Sequence, residues 1–278
     1  MKPKLSIIIP NYNEHANIEA GVIEEVNQYL KKAKFTYEVI ISDDGSTDGS
    51  LKLIEQKSRL YRNFRIINNV HGGKAAAILS GIKAAKGEII LFTDMDQSTP
   101  LRETEKLLPF YAEGFDVVFG SRGKARQNFP LTRQLASFLF RVFRQTMLLR
   151  NVSDTQCGFK SFKTPIAKKI FPKLSIFKQV ASTGWTVSAF DVELLFLAEK
   201  SGYKLKEVDV DWSDQDKSTS KDRKFISESL DMLKQILTVK FNDLKGLYKK
   251  WTRSFFLFFF YVFIHNVRHH SLTNLILL

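Results

Sequence analysis

Five short runs, Leu5–Ile9, Glu38–Ser42, Phe64–Ile67, Glu88–Phe92 and Asp116–Gly120, constrain this chain more than any other feature, because they are mostly apolar, rich in Ile and Val, and followed by turn residues. Runs of this kind suit strands buried on both faces; strict alternation of polar and apolar residues would mark a sheet with one wet face. Between them lie segments with helical character and plausible start signals, Glu14–Leu30, Thr47–Leu60, Gly73–Ala85 and Leu101–Ala112. Strands alternating with helices predict an α/β fold, a Rossmann-like and mostly parallel sheet flanked by helices and joined by right-handed crossovers. Ligands of such sheets bind beyond the carboxyl ends of the strands. Asn11, Asp43, Asp44, Asp94, Asp96 and Ser121 all fall at those ends.

The second half is less regular. Pro130–Arg150 reads as a long helix, Asp154–Phe162 as a loop, Phe190–Lys200 as a helix and Lys204–Asp211 as a strand, with a basic helical pattern after about Lys221. A chain of 278 residues can bury one large core. The expected organisation is one domain over 1–240 and a basic, aromatic tail over 241–278. The single cysteine, Cys157, excludes an intrachain disulfide and fits a reducing compartment. A first strand only four residues in leaves no room for a signal peptide, so the amino-terminal bulk is expected in the cytoplasm.

The formal net charge of +13 implies an anionic partner. Its distribution selects among the candidates. From Lys217 to Arg253 there are ten Lys or Arg against four Asp or Glu, and this stretch leads into the aromatic run Ser254–Ile264. A basic segment abutting an apolar one suits an anionic membrane surface, whereas nucleic-acid binding would want aromatics interleaved with the basic residues, and no nucleic-acid partner is expected. As a helix the run would be about 16 Å long against a hydrocarbon core of about 30 Å, so by itself it does not span. Extending it to Leu278 would bring His265, Arg268, His269 and His270 into the bilayer. An interfacial or re-entrant anchor, burial against protein and a true span all stay open, and the location expected is the cytoplasmic membrane face, peripheral or anchored through the C-terminal tail. Oligomeric state is not legible.

The chemistry concentrates at the strand ends. Glu88-Ile-Ile-Leu-Phe-Thr-Asp-Met-Asp-Gln-Ser98 aims two carboxylates, Asp94 and Asp96, out of a strand terminus. Mg²⁺ favours one or two carboxylates together with substrate phosphates, so the pair suggests a metal-assisted nucleotide site; on spacing alone an acidic turn capping the next helix is an equal reading. Ser6-Ile-Ile-Ile-Pro-Asn-Tyr-Asn-Glu14 and Glu38-Val-Ile-Ile-Ser-Asp-Asp-Gly-Ser-Thr-Asp48 also end strands with polar groups before helices. Gly72-Gly73-Lys74 opens a helix with glycines that allow close backbone approach, without the spacing of a P-loop.

These pieces in this order resemble the family 2 glycosyltransferases of the GT-A fold, over roughly Lys4 to Lys221. The resemblance implies that Pro10, Asn11, Tyr12, Glu14, Asp43 and Asp44, with Gly73 and Lys74, hold a nucleotide-sugar donor, and that Asp94 and Asp96 bind Mg²⁺ or Mn²⁺ on its diphosphate. Asp154-Thr-Gln-Cys-Gly-Phe-Lys160 with Phe190-Asp-Val-Glu-Leu-Leu195 looks like the dolichyl-phosphate β-glucosyltransferase branch and its polyprenyl-phosphate relatives. In related polyprenyl-phosphate mannose synthases the acceptor phosphate is bound by groups matching Arg122, in Gly120-Ser-Arg122, and Arg133 and Ser137. A further Arg of those enzymes is matched here by Gln215, and a lysine nearby, Lys217 or Lys221, does not reproduce a guanidinium fork.

The residues support this apart from the family. At 100° per residue Arg133, Ser137, Arg141 and Arg144 share one stripe of their helix, which suits an anionic headgroup, although a merely solvated basic face has the same pattern. Asp191 matches the position of a general base in other family 2 enzymes, yet a phosphate acceptor is already an anion and needs none; Asp191 and Glu193 fall on opposite sides of their helix. Cys157 reads as a packed residue rather than a nucleophile. The expected activity is inverting transfer of a hexose, glucose from UDP-glucose, to a polyprenyl or dolichyl phosphate. Transfer to a glycan or glycolipid hydroxyl, or silent nucleotide binding at a membrane surface, are the competing readings.

Overall fold

The computed structural model of the protein describes residues 2–123, 148–149, 152–177, 189–217 and 225–248. The chain runs β1 (Leu5–Asn11), α1 (His15–Glu19), α2 (Val22–Lys32), β2 (Tyr37–Asp43), α3 (Ser50–Ser58), β3 (Phe64–Asn68), α4 (Lys74–Ala84), β4 (Ile89–Phe92), α5 (Thr104–Leu107), β5 (Val117–Ser121), β6 (Lys160–Lys163), α6 (Thr164–Ile170), α7 (Ala189–Lys200), β7 (Leu205–Asp209) and α8 (Phe225–Leu244). Residues Met1–Lys240 make one compact unit and those from Phe241 onward a second; the sheet belongs to the first.

The seven strands lie in the order β3-β2-β1-β4-β6-β5-β7. Strands β1 to β4 are mutually parallel, β7 is parallel to β5, and β6 is antiparallel to both its neighbours. All seven residues of β1 are buried, as the Ile-rich run requires of a central strand, while the edge strands β3 and β7 are only partly covered. Two consequences position the site. The order in which strands are added reverses at β1, which has β2 on one side and β4 on the other, so a crevice opens beyond their carboxyl ends. And because β6 runs against its neighbours, the loop that enters it, 152–159, arrives at the same edge of the sheet.

Four details depart from the sequence reading, each for a local reason. The helix expected over Glu14–Leu30 is two helices, broken at Gly21, whose φ of 96° lies in the left-handed region that glycine tolerates. The one expected from Thr47 begins at Ser50, where Asp48 Oδ1 accepts the Ser50 N–H at 2.9 Å. Leu101–Ala112 is 3-10, α and 3-10 in turn, with Pro109 in the last piece lacking the N–H a continuous helix needs. The expected loop Asp154–Phe162 ends in strand β6, because Lys160 is not solvated but buried with a partner. The predicted helix Pro130–Arg150, apart from 148–149, and with it Arg133, Ser137, Arg141 and Arg144, lies outside the described residues, as do Lys221 and 249–278. Among the described residues no helix is long and apolar enough to cross a membrane.

Candidate active site

The ends of β1 and β2 form one corner of the crevice. Paired register sets Asn11 beside Asp43, and Asn11 Nδ2 donates to Asp43 Oδ1 at 2.6 Å. Asp43 Oδ2 accepts the backbone N–H groups of Gly45 and Ser46 at 3.1 and 3.0 Å. Asp44 accepts the N–H groups of Gly72 and Gly73 at 2.9 and 2.8 Å and lies 2.9 Å from His71 Nδ1. Both carboxylates therefore turn inward and shape the loops of the corner. Pro10 is buried in β1 beneath it. The ring of Tyr12 stacks on that of His71, centroids 4.4 Å apart, and Glu14 accepts a hydrogen bond from Asn17 Nδ2 at 2.6 Å.

Asp94 and Asp96 follow β4 on a turn that Gln97 closes with a φ of 51°. Asp94 Oδ1 contacts the ammonium of Lys74, the first residue of α4. The other oxygen lies over Gly158: a Cβ there would come within 2.0 Å of Asp94 Oδ2, so the glycine is a cradle for the carboxylate. Burial first, and then the charge of Asp94, push Asp96 up to about 6, against the backbone bond from Ser98 that favours its ionised form. Burial alone would lower the Lys74 ammonium, but Asp94, Asp191 and Asp96 together hold it above its ordinary value.

This constellation fits a divalent cation. Two converging carboxylates, one of them destabilised as an anion, gain from a positive charge, and hard cations want oxygens. Gln97 offers one: its Nε2 donates to the Asp94 carbonyl at 2.8 Å, while its Oε1 is buried with no hydrogen-bond partner among the described residues. Among the described residues no three acidic, histidine or cysteine side chains gather to bind a metal, so substrate phosphates would complete the shell.

A strap, 211–217, crosses beside this turn. Ser213 and Gln215 donate their N–H groups to the carbonyl and hydroxyl of Ser98 at 2.9 and 3.3 Å, and Lys217 donates its own to Asn17 Oδ1 at 3.0 Å. Asn17 Nδ2 donates to Asp216 at 3.2 Å, whose charge reaches Asp96. A cleft of about 350 Å³ opens here, lined among others by Asn17, Asp96, Gln97, Gln215 and Lys217.

The third group stands at the end of β5. Arg122 is clamped by Asp154, Nε to Oδ2 at 2.7 Å and Nη2 to Oδ1 at 3.0 Å, with its backbone N–H on the same carboxylate at 3.1 Å. Glu207 on β7 holds the clamp in turn, accepting the N–H groups of Ser153 and Asp154 at 2.7 Å each. The guanidinium lies 5.6 Å from the Trp212 ring centroid, and Nη1 takes no part in the clamp. Burial opposes its charge and Asp154 more than offsets that, so it stays cationic.

Asp191, at the start of α7, accepts a 2.6 Å bond from Lys160 Nζ, and both are buried. Its charge acts on both Lys74 and Arg122, so the structure brings the acidic pair, Lys74, Asp191 and Arg122 into one locale. Glu193 faces elsewhere, accepting the N–H and hydroxyl of Ser175 at 2.8 Å each. Cys157 is buried, its thiol raised by that burial, which suits packing and not nucleophilic attack. Sequence reasoning assigned no role to Asp154, Lys160, Asn17, Gln97, Glu207 or Trp212. For Asp154 and Lys160 the signal was present, since they open and close the motif read as the most specific in the chain.

Comparison with known proteins agrees with this geometry. The model of "Glycosyl transferase family 2" matches residues 6–171. A dolichyl-phosphate beta-glucosyltransferase of Dictyostelium discoideum is 33% identical over 265 residues, covering 88% of this chain and 76% of its own, and the enzyme of that name from Saccharomyces cerevisiae is 29% identical with the same coverage. Among solved structures, glucosyl-3-phosphoglycerate synthase from Mycobacterium tuberculosis, in complex with Mn²⁺, UDP and glucosyl-3-phosphoglycerate, superposes with a TM-score of 0.58 at 18% identity, over 85% of this chain and 80% of that one.

Proposed function

The chain belongs to glycosyl transferase family 2, and we propose that it transfers glucose from UDP-glucose to a dolichyl or polyprenyl phosphate, with inversion, at the cytoplasmic face of a membrane. The observation that carries this reading is the placement of the acidic pair and a clamped guanidinium beyond the carboxyl ends of β4 and β5, the two strands that flank β6, with the charge of Asp191 acting on both Lys74 and Arg122. The names of the relatives support a lipid phosphate acceptor and a glucosyl donor; the UDP and Mn²⁺ held by the structural neighbour support the nucleotide and the cation.

Asp94 and Asp96 would hold Mg²⁺ or Mn²⁺, whose contribution is to neutralise charge on the departing diphosphate. The chain's own residues do the rest. Tyr12 offers a ring face in the donor corner, and the turn that Asp44 fixes through Gly72 and Gly73 sets Lys74 at the diphosphate. Arg122, its plane fixed by Asp154, offers its remaining N–H groups to the acceptor phosphate and aligns an oxygen with the anomeric carbon. A single displacement inverts the anomeric centre, so an α-linked donor yields a β-linked product. No base is required of Asp191: a phosphate monoester attacks as an anion, and the Asp191 carboxylate is bonded to Lys160. The basic stretch from Lys217 to Arg253 supports docking at an anionic surface.

The test is incubation of purified protein with Mg²⁺, dolichyl phosphate and a panel of radiolabelled sugar nucleotides, followed by lipid extraction. Label entering the organic phase from UDP-glucose alone supports the reading. Label from another donor corrects the sugar, and label only in water-soluble glycan, or none, refutes the acceptor.

A further inference from the structure

Lys74 occupies a position that a diphosphate-binding lysine need not take, directly on one of the two carboxylates expected to hold the cation. Its backbone has little freedom, because the two amides before it are bonded to the buried carboxylate of Asp44. Its side chain is only partly covered, with about a quarter of its surface open. Three carboxylates, Asp94, Asp191 and Asp96, act on its ammonium at once, so it is a positive charge held within an acidic locale. Asp94 itself is held from the other side by the Gly158 cradle and cannot retreat from Lys74 in that direction.

We propose that Lys74 is an exchangeable counter-ion: it stands on Asp94 in the place of the divalent cation and is released when the cation enters. The released ammonium needs a new anion, and the one the donor brings is its diphosphate. Metal alone must therefore displace Lys74 and leave it only the charge of Asp191, which is already bonded to Lys160, whereas metal with nucleotide displaces it and pairs it again. Lys74 thus makes cation and nucleotide bind with positive coupling, and by linkage each raises the affinity of the other by the same factor. An empty site would discriminate against free divalent ions and accept the metal with its nucleotide. This inference rests on the proposed cation site at Asp94 and Asp96 and adds the lysine that governs its occupancy.

The experiment is Mn²⁺ titration of the full chain followed by electron paramagnetic resonance of the free ion, with and without UDP, for the wild type, Lys74→Met and Lys74→Arg. Thermal melts confirm that each is folded. The expected result is weak Mn²⁺ binding to the wild type that UDP strengthens, and Mn²⁺ binding to Lys74→Met without UDP that is tighter on the order of tenfold, within the usual range for coupled sites. The enhancement by UDP should shrink by a similar factor in Lys74→Met, while Lys74→Arg, which keeps the charge, should stay close to the wild type. Unchanged or weaker Mn²⁺ binding to Lys74→Met without UDP, or an undiminished UDP effect, overturns the proposal while leaving the cation site standing. Failure of all three proteins to bind Mn²⁺ with or without UDP overturns both.

Discussion

Replacing Gly158 by alanine tests the acidic pair without touching either acid. The added Cβ would lie 2.0 Å from Asp94 Oδ2 and 2.7 Å from its Cγ, against the 3.0 Å below which real Cβ atoms essentially never come. The carboxylate must therefore retreat by roughly 1 Å, and misplacement on that scale costs on the order of a hundredfold in rate where geometry is tight. The backbone does not resist the change, since Gly158 is not among the glycines with positive φ. Asp94 is partly exposed and can rotate instead of forcing the core apart. The expected outcome is a folded protein, with a melting temperature within a few degrees of the wild type, whose Mn²⁺ affinity falls and whose turnover drops about a hundredfold. Thermal melts, Mn²⁺ titration and the lipid-extraction assay separate the terms. A variant that keeps both Mn²⁺ affinity and turnover would refute the cradle and, with it, Asp94 as a ligand.

Other consequences follow from the same geometry. Asp154→Ala releases Arg122 from a bidentate, charge-assisted clamp worth about 1.5–3 kcal/mol, so kcat/KM for the acceptor should fall on the order of tenfold to a hundredfold while UDP binding, followed by calorimetry, is unchanged. Breaking the buried Lys160–Asp191 pair from either side, by Lys160→Met or Asp191→Asn, should cost about 3–5 kcal/mol in denaturant unfolding, and the double variant Lys160→Met with Asp191→Leu should recover much of it. Asp96 takes up a proton as the pH falls through about 6, and a cation must displace that proton. Mn²⁺ affinity should thus be flat above that pH and fall about tenfold per unit below it, as titrations from pH 5 to 8 would show.

How much of this was legible depends on whether the cause was local. The ends of β1, β2, β4 and β5 could be read because each apolar run stops at polar residues, and the parallel sheet follows from the alternation. Strand β6 could not, because Lys160 and Lys163 at its ends look like loop residues; the charge of Lys160 at 0% exposure is balanced by a carboxylate 31 positions away, which no window of sequence reveals. The same holds for Asp44, whose partners at Gly72 and Gly73 come from the next loop but one, and for Glu207, which reaches the Asp154 loop only because β7 pairs with β5. Breaks at Gly21 and before Ser50 are local in cause, yet glycine has many uses and its φ is settled by packing. Asp94 and Asp96 were visible as a pair, but their engagement with Lys74 and Gly158 is tertiary.

In the proposed reaction a charged leaving group and a charged attacker meet beyond the carboxyl ends of β4 and β5, on either side of β6. The ³¹P relaxation of a short-chain prenyl phosphate in the presence of the protein, Mn²⁺ and UDP reports whether the two come together. The acceptor phosphorus should broaden strongly in the wild type, and the broadening should be lost in Arg122→Ala, where the acceptor leaves, and in Asp96→Ala, where the cation does. An acceptor signal that relaxes in the wild type as it does without Mn²⁺, although the phosphate is bound, would contradict it.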